Sequence, residues 1–156
     1  MTAKFAKKAK PPKWREGNKI VNYTRVSDPS QFDNTSLETQ RKDAITFANK
    51  RSFEIKSFFG GEAESAKTDE RKEFKLMLNY VRKNKDVVAI LVYSFERFSR
   101  SDHAQELIID LGKIGVKVIS VLQDIDVTSP AGELQQQIFF AFGKYDNDLR
   151  RTKTMR

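Results

Sequence analysis

The sequence predicts an α/β fold in three layers, with a mainly parallel sheet of four to five strands, helices on both faces and a long C-terminal helix. Three observations carry this. Strand-like and helix-like segments alternate from residue 20 to residue 122, and such alternation within one sheet calls for parallel strands joined by crossover helices. The run from Val87 to Phe95 is almost unbroken in apolar character, the mark of a strand buried on both sides. A helical pattern led by Pro130 then continues towards the end of the chain.

Taken in order, residues 20–26 (IVNYTRV) read as a short strand, and Thr35-Ser36-Leu37-Glu38 resembles a capping box that opens a helix over about 36–51. Residues 53–59 form a second strand ending at Gly60-Gly61, and the polar, aperiodic stretch 62–68 reads as a loop. Phe74, Leu76, Met77, Tyr80 and Val81 give residues 69–84 a helical period. After the apolar run to Phe95, Leu107, Ile108, Leu111 and Ile114 mark a helix over 102–114. Gly115 closes it, and residues 116–122 are a fourth strand. On the final helix Leu134, Ile138, Phe142, Tyr145 and Leu149 form one stripe, widened by Phe139 and Phe140. That is more apolar surface than one core needs, so the helix is expected to pack against a partner subunit as well as its own domain.

Composition bounds the function. At 156 residues the chain is one domain's worth of protein, and its twelve phenylalanines argue for a real core. No apolar run approaches the roughly 18 residues of a membrane helix, and the basic N-terminus has no apolar region behind it, which speaks against a secretory signal. The absence of cysteine excludes a disulfide framework, a thiolate nucleophile and a cysteine-bound zinc, and a single histidine, His103, excludes a histidine-rich metal site. The formal charge of +8 is concentrated in residues 1–20, where seven basic residues face Glu16 alone, leaving +2 for the rest. Residues 1–19 are therefore expected to be a basic, disordered arm ahead of a nearly neutral body, able to contact phosphate.

Four clusters stand where strands should end: Tyr23-Thr24-Arg25-Val26-Ser27; Gln40, one turn into the first helix; Ser65 with Arg71; and Glu96-Arg97-Phe98-Ser99-Arg100. Ligands of open parallel sheets sit beyond the carboxyl ends of the strands, so the loops starting near Ser27, Gly60 and Phe95 should converge. Each cluster alone has a plain structural explanation as turn, cap or surface residues. Four arginines converging on a hydroxyl do not, because like charges repel unless an anion lies among them, and planar guanidiniums suit a phosphodiester. Phosphate-loop and nucleophile-elbow motifs are absent, and no carboxylate pair is evident for a two-metal nuclease.

Together these residues resemble the resolvase/invertase serine recombinases. The resemblance rests on Tyr-x-Arg-Val-Ser at 23–27, Ser-Leu-Glu-x-Gln at 36–40, Ser65 ahead of Arg71, the Arg-x-x-Arg block at 97–100 and Thr-Ser-Pro-x-Gly at 128–132 before a long helix. It spans about residues 20–155. The stretches FGGEAESAKTDERKEF and YDNDLRRTK look most like recombinases of Bacteroidetes mobile elements.

The resemblance implies a resolvase-like catalytic domain over 20–132 and, from 133, the start of a dimerisation and linker helix. It implies that Ser27 attacks a DNA phosphodiester to give a 5′-phosphoserine link that strand exchange and religation later reverse, with neither metal nor other cofactor. Arg25, Arg71, Arg97 and Arg100 would bind and activate the phosphate, supported by Tyr23, Gln40, Ser65 and Glu96, while Arg150, Arg151 and Lys153 would contact DNA. It further implies a bacterial cytoplasmic protein, nucleoid-associated on DNA, that is a homodimer and forms a tetramer in the recombination synapse, with no small-molecule substrate. The sequence departs from the family at Glu96, where Asp is usual, at Ala66 after Ser65, where Gly is common, and at Glu62 in place of Asp. A catalytically impaired DNA-binding or regulatory module of the same fold is the alternative. No helix-turn-helix or zinc ribbon follows the final helix, so this stretch alone is expected to bind DNA weakly and without sequence choice, the DNA-reading part belonging to a longer recombinase.

Overall fold

The computed structural model describes residues 14–25, 36–60, 66–99 and 103–154. Four parallel strands, β1 (Lys19–Tyr23), β2 (Glu54–Phe59), β3 (Val87–Val92) and β4 (Lys117–Ser120), form one sheet in the order β2-β1-β3-β4. Four helices connect and follow them: α1 (Leu37–Lys50), α2 (Ala66–Lys83), α3 (Ala104–Lys113) and α4 (Pro130–Thr154). The expected three-layer α/β architecture is the one observed. No helix among the described residues is long and apolar enough to cross a membrane.

The strand order follows from the faces that the helices cover. Ile20, Ala89 and Leu91 pack with Ala44 and Ala48 of α1, whereas Val21, Tyr23, Ile90 and Val92 pack with α2, α3 and Phe140 of α4. The chain leaves β1 towards β2 across one face and returns past β1 to β3 across the other, as right-handed crossovers require. The crevice beyond the carboxyl ends of β1 and β3 is thus the topological switch point, where such sheets bind ligands. All six residues of β3 are buried, in keeping with its apolar run, while edge strand β2 alternates exposed and half-buried positions.

Several boundaries differ from expectation for identifiable reasons. Ser36, one residue beyond the expected cap Thr35, caps α1: its hydroxyl accepts from the Thr39 amide at 3.1 Å, so Thr39 rather than Glu38 occupies the third helical position. Helix α2 begins at Ala66, inside the stretch read as loop. β3 stops at Val92, and Phe95–Arg97 forms a 3-10 turn. Phe95 and Phe98, three apart and both fully buried, supply the spacing of that tight turn, and their apolar character lengthened the expected strand.

Part of the stretch read as a disordered arm is held on the body. Arg15 donates through Nη1 to the carbonyls of Val81, Asn84 and Val87 at 2.9, 3.2 and 2.9 Å, and through Nε to Ile114 at 3.1 Å. Its own amide donates to Gly115 at 2.9 Å. Most of these carbonyls lie at the C-terminal ends of α2 and α3, where the helix dipoles favour a cation, and that of Val87 opens β3. Burial lowers the Arg15 pKa from its ordinary value, with Asp86 opposing the shift.

Candidate active site

Gln40 reaches the site because of the pattern of α1. Its buried stripe is Gln40, Ala44 and Ala48, four residues apart, and α1 starts at the carboxyl ends of the strands, so the polar member of the stripe lies over them. Gln40, 1% exposed, donates through Nε2 to the carbonyl of Arg25 at 3.1 Å.

The same carbonyl accepts from Arg97. Nη1 of Arg97, itself 1% exposed, lies 2.8 Å from the Arg25 oxygen. Arg25, 5% exposed, donates in return through Nη2 to the carbonyl of Glu96 at 2.5 Å and through Nε to that of Arg97 at 3.4 Å. The exits of β1 and β3 and the start of α1 are thereby joined at the switch point. The partners described for both guanidiniums are neutral main-chain oxygens. Glu96 contributes its carbonyl, while its side chain is exposed and in no ion pair among the described residues.

The β2 exit joins the same group. The Thr24 amide donates to the Phe59 carbonyl at 3.0 Å, and Gly60, at φ +127°, lies so close that an added Cβ would stand 2.1 Å from the Thr24 oxygen. Only glycine fits there, on both conformational and steric grounds. Beneath the site runs a chain of rings: Tyr23 to Phe74 at 5.4 Å, Phe74 to Phe98 at 5.4 Å and Phe98 to Phe140 at 6.4 Å between centroids. Tyr23 is thereby packed into the core directly below the β1 exit.

Of the residues singled out in the sequence, Arg25, Gln40 and Arg97 are brought together and Tyr23 and Glu96 adjoin them. Ser27, Ser65 and Arg100 lie outside the described residues, as do the side chains of Arg71 on α2 and of Arg150, Arg151 and Lys153 on α4. His103 stands exposed beside Glu106.

Three polar residues near these strand ends went unnoticed in the sequence. Asn22 is buried, donates to the Leu91 carbonyl at 3.0 Å and leaves Oδ1 without a partner among the described residues; a polar residue within an apolar strand was its signal. Ser94 has a fully buried hydroxyl that likewise lacks a partner among the described residues. Gln123 touches the 3-10 turn from the β4 exit, and nothing in its sequence setting marks it.

Known proteins share this fold. Residues 20–156 match the family described as resolvase, N-terminal domain. A resolvase family site-specific recombinase from Streptococcus pneumoniae superposes with a TM-score of 0.65 at 26% identity, over 89% of this chain and 94% of that one. The N-terminal catalytic domain of TP901-1 integrase does so with a TM-score of 0.63 at 25% identity, over 85% and 98%. The C-terminal catalytic domain of ISC1926 TnpA, an IS607-like serine recombinase, shares the fold at 22% identity with a TM-score of 0.52, over 77% and 76%. No curated protein sequence matches significantly. With its family match covering everything from β1 onwards, the chain belongs to the resolvase family and carries that family's N-terminal domain.

Proposed function

We propose that this domain breaks and rejoins DNA at a specific site, with Ser27 as nucleophile. Oγ of Ser27 forms a bond to phosphorus as the bond to the 3′ oxygen breaks, leaving a 5′-phosphoserine and a free 3′-hydroxyl. The proton lost by serine is matched by the one gained by the 3′ oxygen, and one phosphodiester replaces another, so the step needs no external energy source. Attack by the 3′-hydroxyl of the exchanged strand reverses it. Arg25, Arg71, Arg97 and Arg100 stabilise the charge that develops on the equatorial phosphate oxygens. Gln40, Ser65, Tyr23 and Glu96 support them.

The observation that carries this reading is the junction of Arg25, Gln40 and Arg97 through one carbonyl. Two buried guanidiniums at the switch point, Arg97 held beside Gln40 on the Arg25 carbonyl and Arg25 on the Glu96 and Arg97 carbonyls, suit an anion with several acceptor oxygens. Arg150, Arg151 and Lys153 on α4 contact the DNA backbone, and the exposed stripe of α4 packs on a second copy of the chain, two dimers forming the synaptic tetramer. The protein acts in the bacterial cytoplasm, on the DNA of a mobile element.

The deciding experiment traps covalent protein–DNA adducts by denaturing electrophoresis, using the full-length recombinase and a duplex carrying its crossover site. The wild type forms an adduct at the 5′ phosphate and Ser27→Ala forms none. Binding without an adduct by the wild type would overturn the proposal in favour of an inert DNA-binding module.

A further inference from the structure

β4 does not end cleanly at Ser120. The amides of Val121 and Leu122 donate to the carbonyls of Val92 and Tyr93, both at 3.0 Å, so the chain stays beside the β3 exit for two further residues. Gln123 then turns its side chain back. Its Oε1 accepts from the Phe95 amide at 3.1 Å and from the Ser120 hydroxyl at 2.7 Å, while its own amide donates to Ser120 Oγ at 3.1 Å. Two donors on one oxygen fix which way the side-chain amide faces.

The Phe95 N–H is the first of the 3-10 turn and has no acceptor within it, as at any helix start. Ser94, the residue placed to cap the turn, makes no side-chain capping bond. Gln123 supplies the cap from the segment that follows β4. The ring contacts of Phe95 with Phe139 and Phe140, at 5.9 and 5.7 Å, seat the turn in the core. Apolar contacts do not set the orientation of its peptide planes. A directional hydrogen bond does.

The structure assigns to Gln123 the role of positioning residue for the arginine site. By fixing the first N–H of the Phe95–Arg97 turn, its side-chain oxygen sets the Glu96 and Arg97 carbonyls that hold the Arg25 guanidinium, and the backbone from which Arg97 reaches the Arg25 carbonyl. This rests on reading Arg25 and Arg97 as phosphate-binding. Displacements well under 1 Å change rates in such sites, because a shift of about 1 Å can cost on the order of a hundredfold.

Both side-chain contacts of Gln123 use only its oxygen, which dictates the test. Gln123→Leu keeps the size and loses the acceptor; Gln123→Glu keeps it. In the full-length recombinase two readouts are taken: the single-turnover rate of adduct formation at saturating DNA, and the guanidinium N–H signals of Arg25 and Arg97 by NMR without DNA. Gln123→Leu is expected to slow adduct formation by about tenfold or more at unchanged DNA affinity and to move the Arg25 signal, while Gln123→Glu stays within about threefold of wild type. Should Gln123→Leu fail to fold, Ser120→Ala, which removes the hydroxyl that orients the amide and also meets the Gln123 N–H and the Tyr93 carbonyl, replaces it with changes in the same direction. Equal behaviour of the Leu and Glu variants, or unmoved arginine signals, overturns the assignment. If the wild type itself forms no adduct, the recombinase reading fails separately, and the arginine signals alone decide for or against Gln123.

Discussion

Arg25 and Arg97 hold each other through their backbones: the Arg97 guanidinium donates to the Arg25 carbonyl at 2.8 Å, and Nε of Arg25 donates to the Arg97 carbonyl at 3.4 Å. Each arginine is thus positioned by the main chain that carries the other. A change at one disturbs both.

Arg97→Lys tests this reciprocity. Lysine keeps the charge but offers a point donor in place of a planar fork, and it cannot hold the Arg25 carbonyl while facing a phosphate. Adduct formation by the full-length protein should fall by about a hundredfold or more, in line with the loss of one preorganised donor from a buried site. Stability to urea should fall by about 1–3 kcal/mol, since the second acceptor site on a buried carbonyl is then poorly served. Activity within a few-fold of wild type would show that this guanidinium is a structural strut alone.

Arg15→Ala should separate stability from chemistry. Its four carbonyl partners cluster at the ends of α2 and α3 and at the start of β3, the opposite end of the sheet from Arg25. Losing charge-assisted bonds to partly buried carbonyls costs about 2–3 kcal/mol, and Arg15→Lys recovers little because one ammonium cannot span them. Thermal unfolding should therefore move down by about 4–10 °C while adduct formation well below the transition is unchanged. A loss of adduct formation at full folding would contradict the separation.

Asp126 should make the entry to α4 sensitive to acid. Its Oδ1 accepts from the Thr128 hydroxyl at 2.5 Å and the Thr128 amide at 3.0 Å, and these bonds hold the carboxyl below its ordinary value of 3.8. Its backbone carbonyl accepts from Ser129, whose hydroxyl in turn accepts from the Gly132 amide at 3.0 Å in the first turn of α4. A carboxyl whose folded pKa is depressed adds stability above its unfolded pKa, and that stability is lost as pH falls through the folded value. Wild type should thus be more stable than Asp126→Asn near neutrality, with the gap in thermal melts narrowing as pH falls below about 5 and on through the folded value, which lies under the ordinary 3.8. A gap independent of pH would mean that the carboxylate charge plays no part in the turn.

How much of this was legible in the sequence depended on how each residue acts. Sheet, helix order and the meeting of Arg25, Gln40 and Arg97 could be read because each signal is local: apolar runs, a capping box ahead of α1, arginines just after strands. Ser36 was displaced by one residue as a cap because adjacent Thr and Ser offer the same chemistry, and only backbone geometry chooses between them. Arg15 looked like one charge in a basic tail, since nothing in its neighbourhood announces helix ends nearly seventy and a hundred positions away. Gln123 was illegible for the same reason: its partner Phe95 is 28 residues distant, and one side-chain oxygen leaves no pattern.

The exposed face of α4 supports the last prediction. The helix seats Gly132, Gln136 and Phe140 on its own domain, at four-residue intervals, and Gln136 donates to the Val118 carbonyl at 2.9 Å. That face is spent internally. Leu134, Ile138, Phe142, Tyr145 and Leu149 occupy another, and each remains exposed, Phe142 at 63% and Tyr145 at 61%. Scattered apolar residues on a surface need no explanation, but five in register along one helix form a continuous seam of the kind that helix pairing buries. Replacing Phe142 and Tyr145 together by Glu should therefore shift the protein to monomer in sedimentation equilibrium at concentrations where wild type self-associates. Unfolding of the domain should change by no more than about 0.5 kcal/mol per substitution, as expected at surface positions. If the double variant associates as wild type does, the second copy of the chain does not dock on this seam.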